Sequence, residues 1–160
     1  MQNVLNKIDF GKKQSIGETV VASLLDELGI YYFYDIPCFG NELRGVKNGI
    51  LRFDFCIPYN QKDPKVEDYV TGVHNDFVII EYNGIFHYHV IKGKTTRYTL
   101  TKQMMNDFTK VKFCESKNVE ILWIPYWHHV KCVKTIVEKF IKDSPFVNSA
   151  EECEIKSDSM

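Results

Sequence analysis

The run Phe77-Val78-Ile79-Ile80 ends in a carboxylate, Glu81, and Tyr82-Asn83-Gly84 closes it within three residues. Three β-branched residues in a row favour an extended backbone, and an unbroken apolar run of this length reads as a strand buried within a sheet. Asn-Gly then supplies the turn chemistry that ends it. Glu81 therefore stands at a strand end, either as a functional acid or as the first exposed residue after a buried strand.

A second acid lies on the preceding strand. Gly49 to Ile57 alternates so that Leu51, Phe53, Phe55 and Ile57 share one face while Arg52, Asp54 and Cys56 share the other, which turns Asp54 away from an aromatic layer. Two acids on successive strands offer what a hard divalent cation needs: oxygen ligands on rigid backbone, with positions left for water and phosphate.

The surrounding periodicities supply the frame. Ser15-Ile16-Gly17-Glu18 is a capping box opening a helix over about 15–29, with Val21, Leu24, Leu25 and Leu28 at helical spacing and Gly29 as the stop. Residues 30–36 have strand character and end at Pro37. The polar stretch 58–75 carries two prolines and is longer than most connections, so it is either functional or mobile. A basic turn (Lys92, Lys94, Arg97) leads to a helix at about 101–117, with Met104, Phe108 and Val111 on one face and Asp107, Lys110 and Cys114 on a neighbouring one. Residues 119–124 form a short strand closed by Pro125, and 128–141 a last helix. The order helix, three strands, helix, strand, helix predicts an α/β domain with a central mixed sheet flanked by helices.

Length and charge narrow the classes further. A chain of 160 residues is one domain by the usual size range, taken here as 1–146, with a polar acidic tail at 147–160 expected to be disordered. Net charge is −1, but Glu151, Glu152, Glu154 and Asp158 bias that figure and leave the body mildly basic. Cys38, Cys56, Cys114, Cys132 and Cys153 form no CxxC pair, so neither a zinc site nor a disulfide framework is suggested. No apolar run approaches the roughly 20 residues that span a bilayer, and the N-terminus lacks a signal-peptide core, so no membrane association and an intracellular location are expected.

Taken together, Phe53-Asp54-Phe55, the segment Ile80 to His87, Asp107 to Lys110 and Trp123-Ile124-Pro125-Tyr126 resemble the PD-(D/E)XK nuclease superfamily. More narrowly, they are similar to its branch of small phage, viral and intron-encoded endonucleases related to very-short-patch repair and homing enzymes. The resemblance runs from Glu18 to about Tyr126 and implies a restriction-endonuclease-like fold. It further implies that Asp54, Glu81 and the Tyr82 carbonyl ligate Mg²⁺ or Mn²⁺, and that Glu18 holds a metal-bound water or a second ion. Glu18 is equally accounted for as the capping-box partner of Ser15.

The chain departs from that pattern at two positions. Asn83 stands where the superfamily usually has Lys, and the branch's Asp and Gln are replaced by Asn83 and Phe86. A neutral amide supplies no positive charge for a phosphorane. Lys110 either delivers that ammonium from the neighbouring helix or forms an ordinary i,i+3 surface pair with Asp107. His87 is a candidate general base or phosphate contact; on a strand it would share a face with His89. Lys92, Lys94, Arg97 and Lys102 are candidate DNA contacts. Cutting both strands of a duplex with one site per chain implies a homodimer or a dimer of dimers. The expected activity is that of a metal-dependent DNA endonuclease, and the alternative is a catalytically silent nucleic-acid-binding or assembly subunit.

Overall fold

The computed structural model describes residues 14–144; the acidic tail, Cys153 and the N-terminal segment read for a signal peptide lie outside the described residues. Along the chain run α1 (Ile16–Glu27), β1 (Phe33–Pro37), β2 (Arg52–Pro58), α2 (Val66–Val70), β3 (Phe77–Asn83), a 3-10 turn (Ile85–His87), α3 (Arg97–Ser116), β4 (Ile121–Pro125) and α4 (Val130–Lys142). The expected order of long elements holds. The stretch 58–75 is not a plain loop, because α2 folds within it and buries Tyr69.

Helix starts follow local chemistry. The Ser15 hydroxyl accepts from the Glu18 amide at 3.2 Å while Glu18 Oε2 accepts from the Ser15 amide at 2.6 Å, so the capping box forms. α3 begins earlier than the apolar periodicity indicates. Thr96 and Thr99 cap each other's amides at 3.2 and 2.9 Å, which draws Arg97 out of the expected turn and into the helix.

The four strands lie in the order β1-β2-β3-β4. β1 with β2 and β2 with β3 are antiparallel; β3 with β4 is parallel, and α3 lies in the crossover connecting them. Two apolar clusters cover the faces of this mixed sheet. Val21, Leu25, Tyr34, Phe55, Ile57, Ile80, Ile124 and Val137 belong to one, which joins α1 and α4 to the sheet. Phe33, Ile36, Phe53, Cys56, Tyr69, Phe77, Ile79 and Cys114 belong to the other, on the side of α2 and α3.

Strict alternation fails in β1 and β2, a departure from the expected pattern. Phe55 and Ile57 face the first cluster, whereas Phe53 and Leu51 face the second, and in β1 Tyr34 and Ile36 divide the same way. The change of face falls at Asp35 and Asp54, the one position missing from the ladder between Pro37↔Arg52 and Phe33↔Cys56. Asp35 has φ 50, in the left-handed region, a conformation that short polar side chains tolerate. Arg52 holds it there by donating to both the Asp35 carboxylate, at 3.0 Å, and the Asp35 carbonyl.

The amphipathic reading of α3 also needs correction. Met104 and Phe108 are exposed, and the face turned inward carries Lys110 and Cys114 instead.

Candidate active site

The β2–β3 ladder runs from Pro58↔Phe77 to Phe55↔Ile80 and goes no further. The next opposed residues are Asp54 and Glu81, and there the strands part. Side chains fill the gap: Glu81 Oε1 accepts from the Asp54 main-chain amide at 2.9 Å, and Asp54 Oδ2 accepts from the Tyr82 amide at 2.9 Å. Each carboxylate thus uses one oxygen to replace a ladder bond, which fixes both acids relative to the backbone. In an extended residue the N–H and C=O leave the strand on the same side, so the Tyr82 carbonyl leaves β3 on the side of β2, as its amide does.

α3 brings the cation. Lys110 Nζ lies 3.0 Å from Glu81 Oε2, and both side chains are buried. The surface-pair alternative for Lys110 is therefore overturned: it turns inward to Glu81 and packs its ammonium 5.3 Å from the centre of the Phe53 ring. Burial by itself pulls the Lys110 ammonium down, but the Glu81 and Asp54 carboxylates beside it outweigh that, and its pKa is raised above the ordinary lysine value.

Asp107 has a different partner. Its Oδ2 lies 2.8 Å from His87 Nδ1, and Gln103 donates to its Oδ1 at 3.0 Å. The pairing sets the His87 Nδ1 toward the carboxylate and leaves Nε2 as the ring's other functional nitrogen. His87 belongs to the 3-10 turn after β3, so the strand geometry that would align it with His89 does not apply.

These groups converge on one cleft of about 530 Å³, lined by Glu18, Asp54, Glu81, Tyr82, His87 and Lys110 among the expected residues. Asp35, Arg52 and Gln103 line it as well and escaped the sequence reading. Asp35 had a visible signal, an acid inside the apolar strand 30–36 with Arg52 on the next strand to pair with it. Glu18 enters from the N-terminus of α1, where Gly17 lies against the Tyr82 ring; a Cβ at position 17 would overlap that ring. Asn83 is not brought into this cleft. It shares a face of β3 with Glu81 and lines the adjoining cleft. Lys92, Lys94 and Arg97 are exposed and Lys102 half-buried, ahead of and within the first turns of α3, and none of them lines the acid cleft.

Among the described residues, no three His, Cys, Asp or Glu side chains are gathered as a metal-holding group. The donor set nonetheless fits Mg²⁺ or Mn²⁺, because Mg²⁺ binds through one or two carboxylates and keeps several waters. Asp54, Glu81 and the Tyr82 carbonyl are oxygen donors of that kind, held by the two amide bonds at the strand parting. The fold and the cleft together define an α/β protein whose four-stranded mixed sheet carries a carboxylate pair and a buried lysine where its two central strands separate. No family model matches the chain, nor does any curated protein or solved structure at a significant level. No helix among the described residues is long and apolar enough to cross a membrane.

Proposed function

We propose that this chain is a metal-dependent endonuclease that hydrolyses DNA phosphodiester bonds, a member of the PD-(D/E)XK superfamily with a restriction-endonuclease-like fold. The observation that carries the reading is the ordered set Asp54, Glu81 and Lys110, two strand acids fixed by main-chain amides with one ammonium against the second acid. Asp54, Glu81 and the Tyr82 carbonyl would hold Mg²⁺ or Mn²⁺. Bound there, the ion supplies Lewis acidity toward a phosphoryl oxygen and lowers the pKa of water.

The chain's own residues supply the rest. Lys110 replaces the positive charge that Asn83 lacks and stabilises negative charge developing on the phosphoryl group. His87, oriented by Asp107, accepts a proton from the attacking water or contacts the phosphate through Nε2. Glu18 positions water on the α1 side of the cleft. Lys92, Lys94, Arg97 and Lys102 attract and register the DNA backbone. Two-strand cleavage calls for a homodimer or a dimer of dimers.

One observation favours a second reading. Both Glu81 oxygens are already engaged, by the Asp54 amide and by Lys110, an arrangement that suits a nucleic-acid-binding or assembly subunit needing no metal. Cleavage of supercoiled plasmid and of a four-way junction with Mg²⁺ and Mn²⁺ separates the two. Metal-dependent cutting that disappears in Asp54→Ala and Glu81→Ala supports the endonuclease. No cutting and no metal binding by any version, Asn83→Asp included, supports the silent subunit.

A further inference from the structure

Beside the acid cleft lies a second one of about 320 Å³, lined by Asn83, Tyr88, Met104, Asp107, Phe108, Val111 and Trp123, with His87 lining both clefts. Its walls are largely aromatic, aliphatic and thioether; the His87–Asp107 pair is polar but already joined, and two further polar atoms have no partner. Asn83 Oδ1 and Trp123 Nε1 are both buried without a hydrogen-bond partner among the described residues. The Asn83 residue is only 4% exposed, and its Nδ2 reaches the Tyr88 hydroxyl at 3.4 Å. Whichever way round the amide is read, one of its polar atoms is left over.

Buried polar atoms left unsatisfied are costly, and native chains keep such atoms chiefly where something else satisfies them. Their positions are linked. Trp123 is the register partner of Glu81 across β3 and β4, and Asn83 follows Glu81 by two residues on the same face. The volume falls at the low end of small-molecule sites, roughly 300–1,000 Å³, and suits one planar ring system rather than a larger ligand.

We propose that this cleft receives a single unstacked nucleobase of the nucleic-acid strand, whose donor meets Asn83 Oδ1 and whose adjacent acceptor meets Trp123 Nε1. Tyr88, Met104 and Phe108 supply its faces, and stacking on aromatic and thioether groups tolerates any base. The assignment to the substrate strand rests on the endonuclease reading, because His87 lines both clefts and the base would lie next to a phosphate that a metal ion on Asp54 and Glu81 would bind. Every base presents a donor beside an acceptor on one edge, whereas a sugar phosphate alone offers no flat apolar face to the cleft.

The sequence has two tryptophans, so ¹⁵N-labelled full-length protein gives two indole N–H signals, and Trp127→Phe identifies that of Trp123. Titration with each common deoxynucleoside monophosphate is expected to move the Trp123 indole signal downfield, and deoxyribose 5-phosphate is expected to leave it in place. Val111→Phe, which fills the cleft with an apolar ring, is expected to abolish the shift, and Asn83→Leu to weaken binding by about tenfold through the lost hydrogen bond. An equal response to deoxyribose 5-phosphate, or a shift untouched by Val111→Phe, overturns the proposal. Plasmid cleavage is measured on the same samples. Cutting with no indole shift removes the base cleft and leaves the endonuclease standing, and an indole shift with no cutting does the reverse.

Discussion

The main-chain amide of Asp54 donates to Glu81 Oε1 at 2.9 Å, so each of the two acids is placed by the backbone of the other's neighbourhood. Asp54 Oδ2 returns the arrangement by accepting from the Tyr82 amide. Removing either carboxylate therefore loosens the end of a strand as well as deleting one of the proposed metal ligands. Asp54→Asn and Glu81→Gln keep an oxygen for the amide while cancelling the charge. Asp54→Asn is expected to keep the parent's urea midpoint, whereas Glu81→Gln, which leaves the Lys110 ammonium buried without its carboxylate, is expected to lower it. On the endonuclease reading both lose metal-dependent cleavage by a factor of at least about 100, the scale of losing one electrostatic stabiliser.

Lys110 and Glu81 form a buried pair, with side chains 10% and 2% exposed. Lys110→Met leaves the Glu81 carboxylate buried without its ammonium and is expected to cost about 3 kcal/mol of stability. Adding Glu81→Gln is expected to recover most of that, because both charges are then gone; a denaturant-based double-mutant cycle measures the coupling. The raised Lys110 pKa sets the window. Its contribution is complete below the ordinary value of 10.5 and is lost only as pH climbs through the higher folded value.

His87 depends on Asp107 for its orientation, at 2.8 Å. Asp107→Asn is expected to reduce cleavage by about tenfold to a hundredfold, and His87→Ala by more, within the range of general acid–base contributions. If Asp107 acts only through His87, Asp107→Asn placed on His87→Ala lowers the rate no further.

Gly17 leaves no room for a side chain beside the Tyr82 ring. Gly17→Ala is expected to destabilise the fold by roughly 1–3 kcal/mol, the scale of overpacking, and to lower cleavage by shifting Tyr82. Combining it with Tyr82→Ala is expected to relieve the clash, which thermal unfolding of the single and double variants tests.

Burial pushes the Cys114 thiol up to about 12. The unfolded chain releases that proton near the ordinary value of 9.0, so between about pH 9 and pH 12 the folded state binds more protons and stability falls as pH rises. Cys114→Ala is expected to flatten this slope when urea midpoints at about pH 8 and pH 10.5 are compared. In a Cys153→Ser background at pH 8, Cys132, the exposed one among the described cysteines, is expected to react quickly with a thiol reagent while Cys38, Cys56 and Cys114 react slowly.

Element order was readable because periodicity and caps speak locally: the Ser15–Glu18 box, the apolar run of β3 and the turn residues after it each identify an element without long-range information. The acid pair was readable for the same reason, as carboxylates punctuating apolar strands. What escaped was set by tertiary contact. Alternation assigns Phe53 and Phe55 to one face only if the ladder is continuous, and the left-handed Asp35 breaks it. Met104 and Phe108 look like a core stripe, yet the sheet takes Lys110 and Cys114 instead, because Glu81 at the strand end attracts an ammonium. Asp107 and Lys110 stand three apart and read as each other's partners, but two different acceptors and donors across the cleft claim them.

Because β1 and β2 exchange faces at Asp35 and Asp54, the half-strands on either side of the acid belong to separate apolar compartments. Leu51 and Phe53 answer to the packing around α2 and α3, while Phe55 and Ile57 answer to α1 and α4. A volume change in one compartment is then met by neighbours that the other half of the strand does not share. Asp54 stands in β2 between the two halves, so the acid is braced by both compartments and belongs wholly to neither.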